Sequence, residues 1–246
     1  MESQLILQES GIDYVLLTKD KLDDALRIQA STMVHENIAI GMGMFEEPGA
    51  PEEMQLIFKE VVKDGISIIA LESETKEMTG VIFNKMHIPL KEGEEDELGK
   101  FVNQNIKHSS CIELTRFLNN FESTVNLFEK YETDAILEMF YIAVDTKYRK
   151  RGIGLGLTKS SLTLGKMLQK GEIQKISMGG DIVLKNAMPN VAIAVYSSNY
   201  SIRIGEKLGG EFLAELLYED YTVNGKKMSE RIDSNHKRVI LVAFKL

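Results

Sequence analysis

Residues 148 to 157 read YRKRGIGLGL, with glycine at 152, 154 and 156 beside Arg149, Lys150 and Arg151. A run of this kind suits the binding of an anion. Glycines put no side chain between a ligand and the main chain, and the first amides of a helix have no internal partner and carry partial positive charge. With Leu155 they form one candidate binding turn for phosphate oxygens. The spacing departs from a dinucleotide fingerprint, running Gly152, Gly154, Gly156 with Thr158 rather than glycine or alanine two places later. It also lacks the GxxxxGK[ST] order of a P-loop. A glycine-rich packing turn is the plain alternative.

Other polar groups offer less. His35, His87, His108 and His236 are scattered without metal-ligand spacing, and Cys111 stands alone, so no metal is expected. In SSNYS, Ser197 and Ser201 carry hydroxyls that both donate and accept hydrogen bonds. Ser198 is equally suited to capping the helix that follows. Glu46 and Glu47 precede Pro48, which restricts Glu47 to extended backbone and so limits where its carboxylate points.

The elements that would hold these groups alternate between strand and helix. Apolar Leu22, Ala25, Leu26 and Met33 mark one helix, and Met54, Ile57, Phe58, Val61 and Val62 another after Pro51. ISIIAL and GVIFNKM read as a hairpin, and acidic KEGEEDELGK as a solvated loop or fraying helix start. Leu114, Leu118, Phe121, Val125 and Phe128 repeat at helical spacing. AILEMFYIAV is continuous enough to lie inside a sheet and runs into the glycine turn, after which a helix ends near Gly171. VAIAVY, a capped helix from SSNYS, EFLAELLY and VILVAF close the chain. No composition shift divides residues 1–246, so a single domain is expected.

YIAVDTKYRKRGIG resembles the central motif of the Gcn5-related N-acetyltransferase (GNAT) superfamily, whose R/Q-x-x-G-x-G/A pattern is met by Arg149, Gly152 and Gly154. The resemblance implies an α/β acyl-CoA N-acyltransferase fold: a mixed, mostly antiparallel sheet with splayed central strands and flanking helices. It implies acetyl-CoA as donor, its pyrophosphate on Arg149 to Gly156 and its pantetheine arm beside Ile142 and Val144. VYSSNYSIRIGEKLGG and MFEEPG are similar to elements of the insect arylalkylamine N-acetyltransferases. That likeness implies Glu47 as base with Glu46 as alternative, Ser197 and Ser201 as partners, Tyr200 near the cofactor sulfur and His236 near the acceptor. Gly49 and Gly210 depart from that subgroup's pattern, and residues 172 to 190 look like an insertion.

The implied reaction is acetyl transfer to a small primary amine, with dopamine, serotonin or tryptamine as candidates. A polyamine acceptor and a non-catalytic acetyl-CoA-binding protein are the alternatives. Composition fits an ordinary globular chain of 246 residues, and 29 basic against 37 acidic residues give a net charge of -8, which disfavours nucleic acid. One cysteine, no basic leader and no apolar run long enough to span a bilayer point to a cytoplasmic protein without membrane contact. A monomer or weak homodimer is expected.

Overall fold

In the computed structural model, residues 4–91, 93–180 and 187–246 are described. Strands β1 (Leu5–Glu9) and β2 (Ile12–Leu16) lead into α1 (Leu22–Met33), α2 (Asn37–Gly41) and α3 (Ala50–Val61). Next come β3 (Ile68–Glu72), β4 (Met78–His87), α4 (Glu97–Asn105), α5 (Ser109–Glu122) and α6 (Leu127–Lys130). Strand β5 (Ile136–Val144), α7 (Ile153–Gln169), β6 (Val191–Tyr196), α8 (Asn199–Lys207) and β7 (Glu211–Leu217) follow. The short β8 (Thr222–Val223) and β9 (Lys226–Lys227) precede β10 (Arg238–Lys245).

Eight strands form one sheet in the order β1-β2-β3-β4-β5-β6-β10-β7. Every neighbouring pair is antiparallel except β5 with β6. That parallel pair arises because α7 carries the chain back over the sheet between them, as a parallel crossover requires. Its ladder stops early: Ile136 to Glu138 pair with Val191 to Ile193, and beyond them β5 and β6 have no register with one another. The sheet forks at its centre.

A bulge marks the same level. Phe83 faces Tyr141 and Asn84 faces Met139, which leaves Phe140 as the extra residue on β5. One core fills the side covered by α1, α3 and α5, with Phe58, Phe83 and Phe117 buried in it. The other lies under α7, with Leu137, Leu157, Leu164 and Ala194.

Some expectations change at element ends. The single helical stripe from Leu114 to Phe128 is two helices, because Thr124 bonds back to the Phe121 carbonyl and Asn126 caps α6 through the Glu129 amide. Short polar side chains that bond the local backbone interrupt a helix. The end of the acidic run is ordered, since Asp96 accepts from the Gly99 amide at 2.7 Å and starts α4. Strand β1 and the β8/β9 hairpin, turned on Asn224 and Gly225 at positive φ, have no counterpart among the expectations. Of the expected insertion, residues 181–186 lie outside the described residues. Its earlier part packs so closely on Gly65 that an added Cβ there would meet the Ile176 carbonyl oxygen at 1.8 Å.

Candidate active site

The turn after β5 is held from both ends. Asp145 accepts the Lys147 amide at 3.0 Å, and Lys150 and Gly152 take φ of +64° and +80°. Left-handed residues on either side of Arg151 curl the chain so that successive N–H groups converge, an anion-binding geometry. Gly152 is the N-cap of α7 and brings no side chain to its free amides. Gly156 is the first residue whose amide is bonded within the helix, to the Gly152 carbonyl at 3.0 Å.

The three glycines therefore do different things. A Cβ on Gly152 would meet nothing within 4 Å, so its requirement is the left-handed φ. One on Gly154 would lie 3.5 Å from Ile204 and 3.9 Å from Val144, at the mouth of the fork between β5 and α8. One on Gly156 would strike the Tyr14 hydroxyl at 1.9 Å. Gly156 is thus a packing glycine, which corrects its assignment to the anion-facing backbone. Leu155 is half-buried in the same first turn.

Charge around the turn is also divided. Arg151 pairs with Glu72 at 2.5 Å and lies 5.3 Å above the Tyr148 ring, so it braces the turn against β3. Arg149 and Lys150 are exposed. Ile142 and Val144 are partly exposed and lie against the α7-side core, on the part of β5 that β6 has left.

On the other side of the fork a cluster forms that the sequence reading lacked. Glu36 caps α2, its Oε2 accepting the Ala39 amide at 2.6 Å. The residue keeps some exposure, but protein atoms surround its carboxylate. Burial pushes its pKa up, opposed by the Ser197 side chain and the amides of Ala39, Ile38 and Asn37. Ser197 is fixed just beyond β6, because its carbonyl accepts Asn37 Nδ2 at 2.7 Å and the Tyr218 hydroxyl at 2.6 Å. The negative field of Glu36 also reaches the phenols of Tyr141 and Tyr218, both raised chiefly by burial. Tyr141 contacts Thr32 through their hydroxyls at 3.2 Å.

Glu47 stands elsewhere. Its carboxylate takes the Ser110 hydroxyl at 2.7 Å and the Ser110 and Ser109 amides at 2.8 and 3.0 Å. These donors, the Ser110 hydroxyl first, hold its pKa at about 2. It caps α5 and is a weak proton acceptor. Glu46 pairs with Arg231 at 3.0 Å, which lowers its pKa. Gly49 has φ +88° and faces His108, so any side chain here would be strained.

Ser201 serves the α8 cap: its hydroxyl accepts the Ser198 amide at 3.2 Å while Ser198 accepts its own amide in return. Tyr200 is 72% exposed, with its ring 5.6 Å from that of His236. His236 Nδ1 accepts the Asn199 amide at 3.2 Å. Of the residues singled out from sequence, the fork thus gathers Ile142, Val144, Gly154 and Ser197. A shallow hollow lined by Leu7, Gln8, Lys159 and Leu162 lies at the β1 edge, with Lys159 already paired to Glu9.

No protein-family model and no curated protein matches the sequence. Solved structures do match the fold. Arylalkylamine N-acetyltransferase 2 from Aedes aegypti is 20% identical, aligned over 96% of this chain and 99% of its own, with a TM-score of 0.73. The mosquito arylalkylamine N-acetyltransferase like 5b gives 19% identity, 96% and 100% coverage and a TM-score of 0.70. The Drosophila melanogaster polyamine N-acetyltransferase that forms N-acetylagmatine gives 14%, 96%, 100% and 0.62. These alignments run over nearly the whole length of the chains, and the protein has the GNAT fold, similar to that of the insect arylalkylamine N-acetyltransferases.

Proposed function

We propose that the chain is an acetyl-CoA-dependent N-acetyltransferase acting on a small primary amine of the arylalkylamine class. The observation that carries this reading is Glu36 beside Ser197 at one side of a fork whose mouth is lined by Val144 and Gly154. The residues present fit the donor: the free amides after Gly152, with Arg149 and Lys150, suit a pyrophosphate, and the unpaired edge of β5 at Ile142 and Val144 suits an extended amide-bearing arm. Acetyl-CoA would supply an activated acyl group.

The chain's own task is to prepare the amine. An alkylamine is mostly protonated near neutral pH, and its nitrogen attacks only after losing a proton. Glu36 is more basic than an ordinary carboxylate and lies where it takes that proton directly or through the Ser197 hydroxyl. Asn37 and Tyr218 hold Ser197 in place, and α2 holds Glu36 through its cap. Glu36, rather than Glu47, is therefore the proposed base.

A polyamine acceptor is the second reading, favoured by the likeness to the Drosophila polyamine enzyme. Thiol release from acetyl-CoA, measured with phenethylamine, tryptamine, putrescine and a peptide, tests both. Saturable release with the aromatic amines, matched by N-acetyl product, supports the first reading. Binding of acetyl-CoA without release points to a non-catalytic protein.

A further inference from the structure

We infer that the bulge at Phe140 is the acceptor-selectivity element of this cleft, turning two aromatic rings toward the tail of the amine. The inference rests on the acetyl-transfer reading above and adds the residues that choose among amines.

Successive side chains of a strand point to opposite faces. The extra residue in β5 interrupts that alternation: Phe140 and Tyr141 both lie on the α3 side, with ring centroids 5.7 and 5.1 Å from that of Phe58. Met139 before them and Ile142 after them belong to the α7 side. The two rings stand just beyond Glu138, the last residue of β5 that pairs with β6. Both are partly exposed, as is Val195 of β6, which packs on the same face. The fork thus opens between aromatic and aliphatic surface on the face from which Glu36 approaches Ser197.

Apart from Glu36, which serves the reacting amine and whose field reaches Tyr141, the acidic group on this stretch of β5 is already engaged. Glu138 is 6% exposed, and its Oε2 meets His87 Nε2 at 2.6 Å. Glu122 is raised well above the usual carboxylate range by burial and then by the charge of Glu138 beside it. Lys85, opposite Glu138 on β4, is buried and lies 3.8 Å from Asp96. A second ammonium on the acceptor would lose water here without gaining a partner. A ring would lose water to meet other rings.

The test compares kcat/KM for phenethylamine, butylamine and putrescine in the wild type, Phe140→Leu and Phe140→Ala, with a melting curve for each variant. The wild type is expected to favour phenethylamine over putrescine by at least ~100-fold, since a second ammonium is a charge that would be buried without a partner. Phe140→Ala is expected to lower the phenethylamine value by about 10- to 100-fold while butylamine and putrescine change by less than about threefold. Should the alanine variant not fold, Phe140→Leu keeps most of the volume and is expected to narrow the phenethylamine-to-butylamine ratio by roughly tenfold. Turnover with equal losses for all three amines, or a wild type that prefers putrescine, overturns the inference alone. No turnover with any amine overturns the acetyl-transfer reading and the inference with it.

Discussion

Glu36 and Glu47 bear the same carboxylate in opposite surroundings. Burial raises the first, while hydroxyl and amide donors at the start of α5 hold the second at about 2. Removing the charge of each should therefore change different properties. Glu36→Gln is expected to lower kcat by about 10²- to 10⁴-fold and to abolish the acid limb of the pH–rate profile, with acetyl-CoA affinity retained. Glu47→Ala is expected to keep turnover per folded molecule and to cost about 1–2 kcal/mol of stability, the loss of a helix cap, read from a denaturant curve. The sequence made Glu47 visible because it precedes a proline in a short motif. Glu36 carries no such mark, since its significance comes from contact with Ser197, whose carbonyl is bound by the neighbouring Asn37 across 160 positions. Gly49 was the legible warning: a left-handed glycine facing His108 ties that loop to α5 rather than to the fork.

Element by element, the strand, turn and helix around YRKRGIGLGL were readable because strand, glycine punctuation and helix follow one another locally. The separate duties of the glycines were not, as they depend on Tyr14 from β2 and Ile204 from α8. Gly154→Val is expected to weaken acetyl-CoA binding by tenfold or more, measured by calorimetry, with a nearly unchanged melting temperature. Gly156→Ala is expected to lower the melting temperature with or without acetyl-CoA, because the methyl group meets Tyr14. Helix α5 adds a pH dependence. Glu47 contributes stability that is present above its ordinary value of 4.5 and is lost as pH falls toward about 2. Glu122, raised by burial, contributes stability present below that ordinary value and lost as pH rises through its raised pKa. Melting temperature against pH should therefore fall on both flanks. Glu47→Ala should flatten the acid flank and Glu122→Gln the alkaline one.

For the whole molecule, the sheet gathers strands from both ends of the chain, and its fork joins the α7 side, where the donor is proposed to lie, to the face under α1 and α3, where the acceptor is proposed to lie. The mixed α/β character was legible from the alternation of strand and helix patterns, whereas the mostly antiparallel sheet was implied by the GNAT resemblance. The strand order was not, because β10 enters between β6 and β7 only through long-range pairing. A net charge of -8 favours approach of a cationic amine over an anionic donor. Raising ionic strength is therefore expected to lower kcat/KM for the amine and to raise it for acetyl-CoA, in steady-state assays across added salt. The central claim is that this fork transfers acetyl groups with Glu36 as the proton acceptor. The most direct measurement is thiol release by wild type, Glu36→Gln and Glu47→Ala with acetyl-CoA and phenethylamine from pH 6 to 9. The account expects amine-dependent release that is nearly lost in Glu36→Gln and kept in Glu47→Ala. Full activity of Glu36→Gln across that range, or no release by a wild type that binds acetyl-CoA, would contradict it.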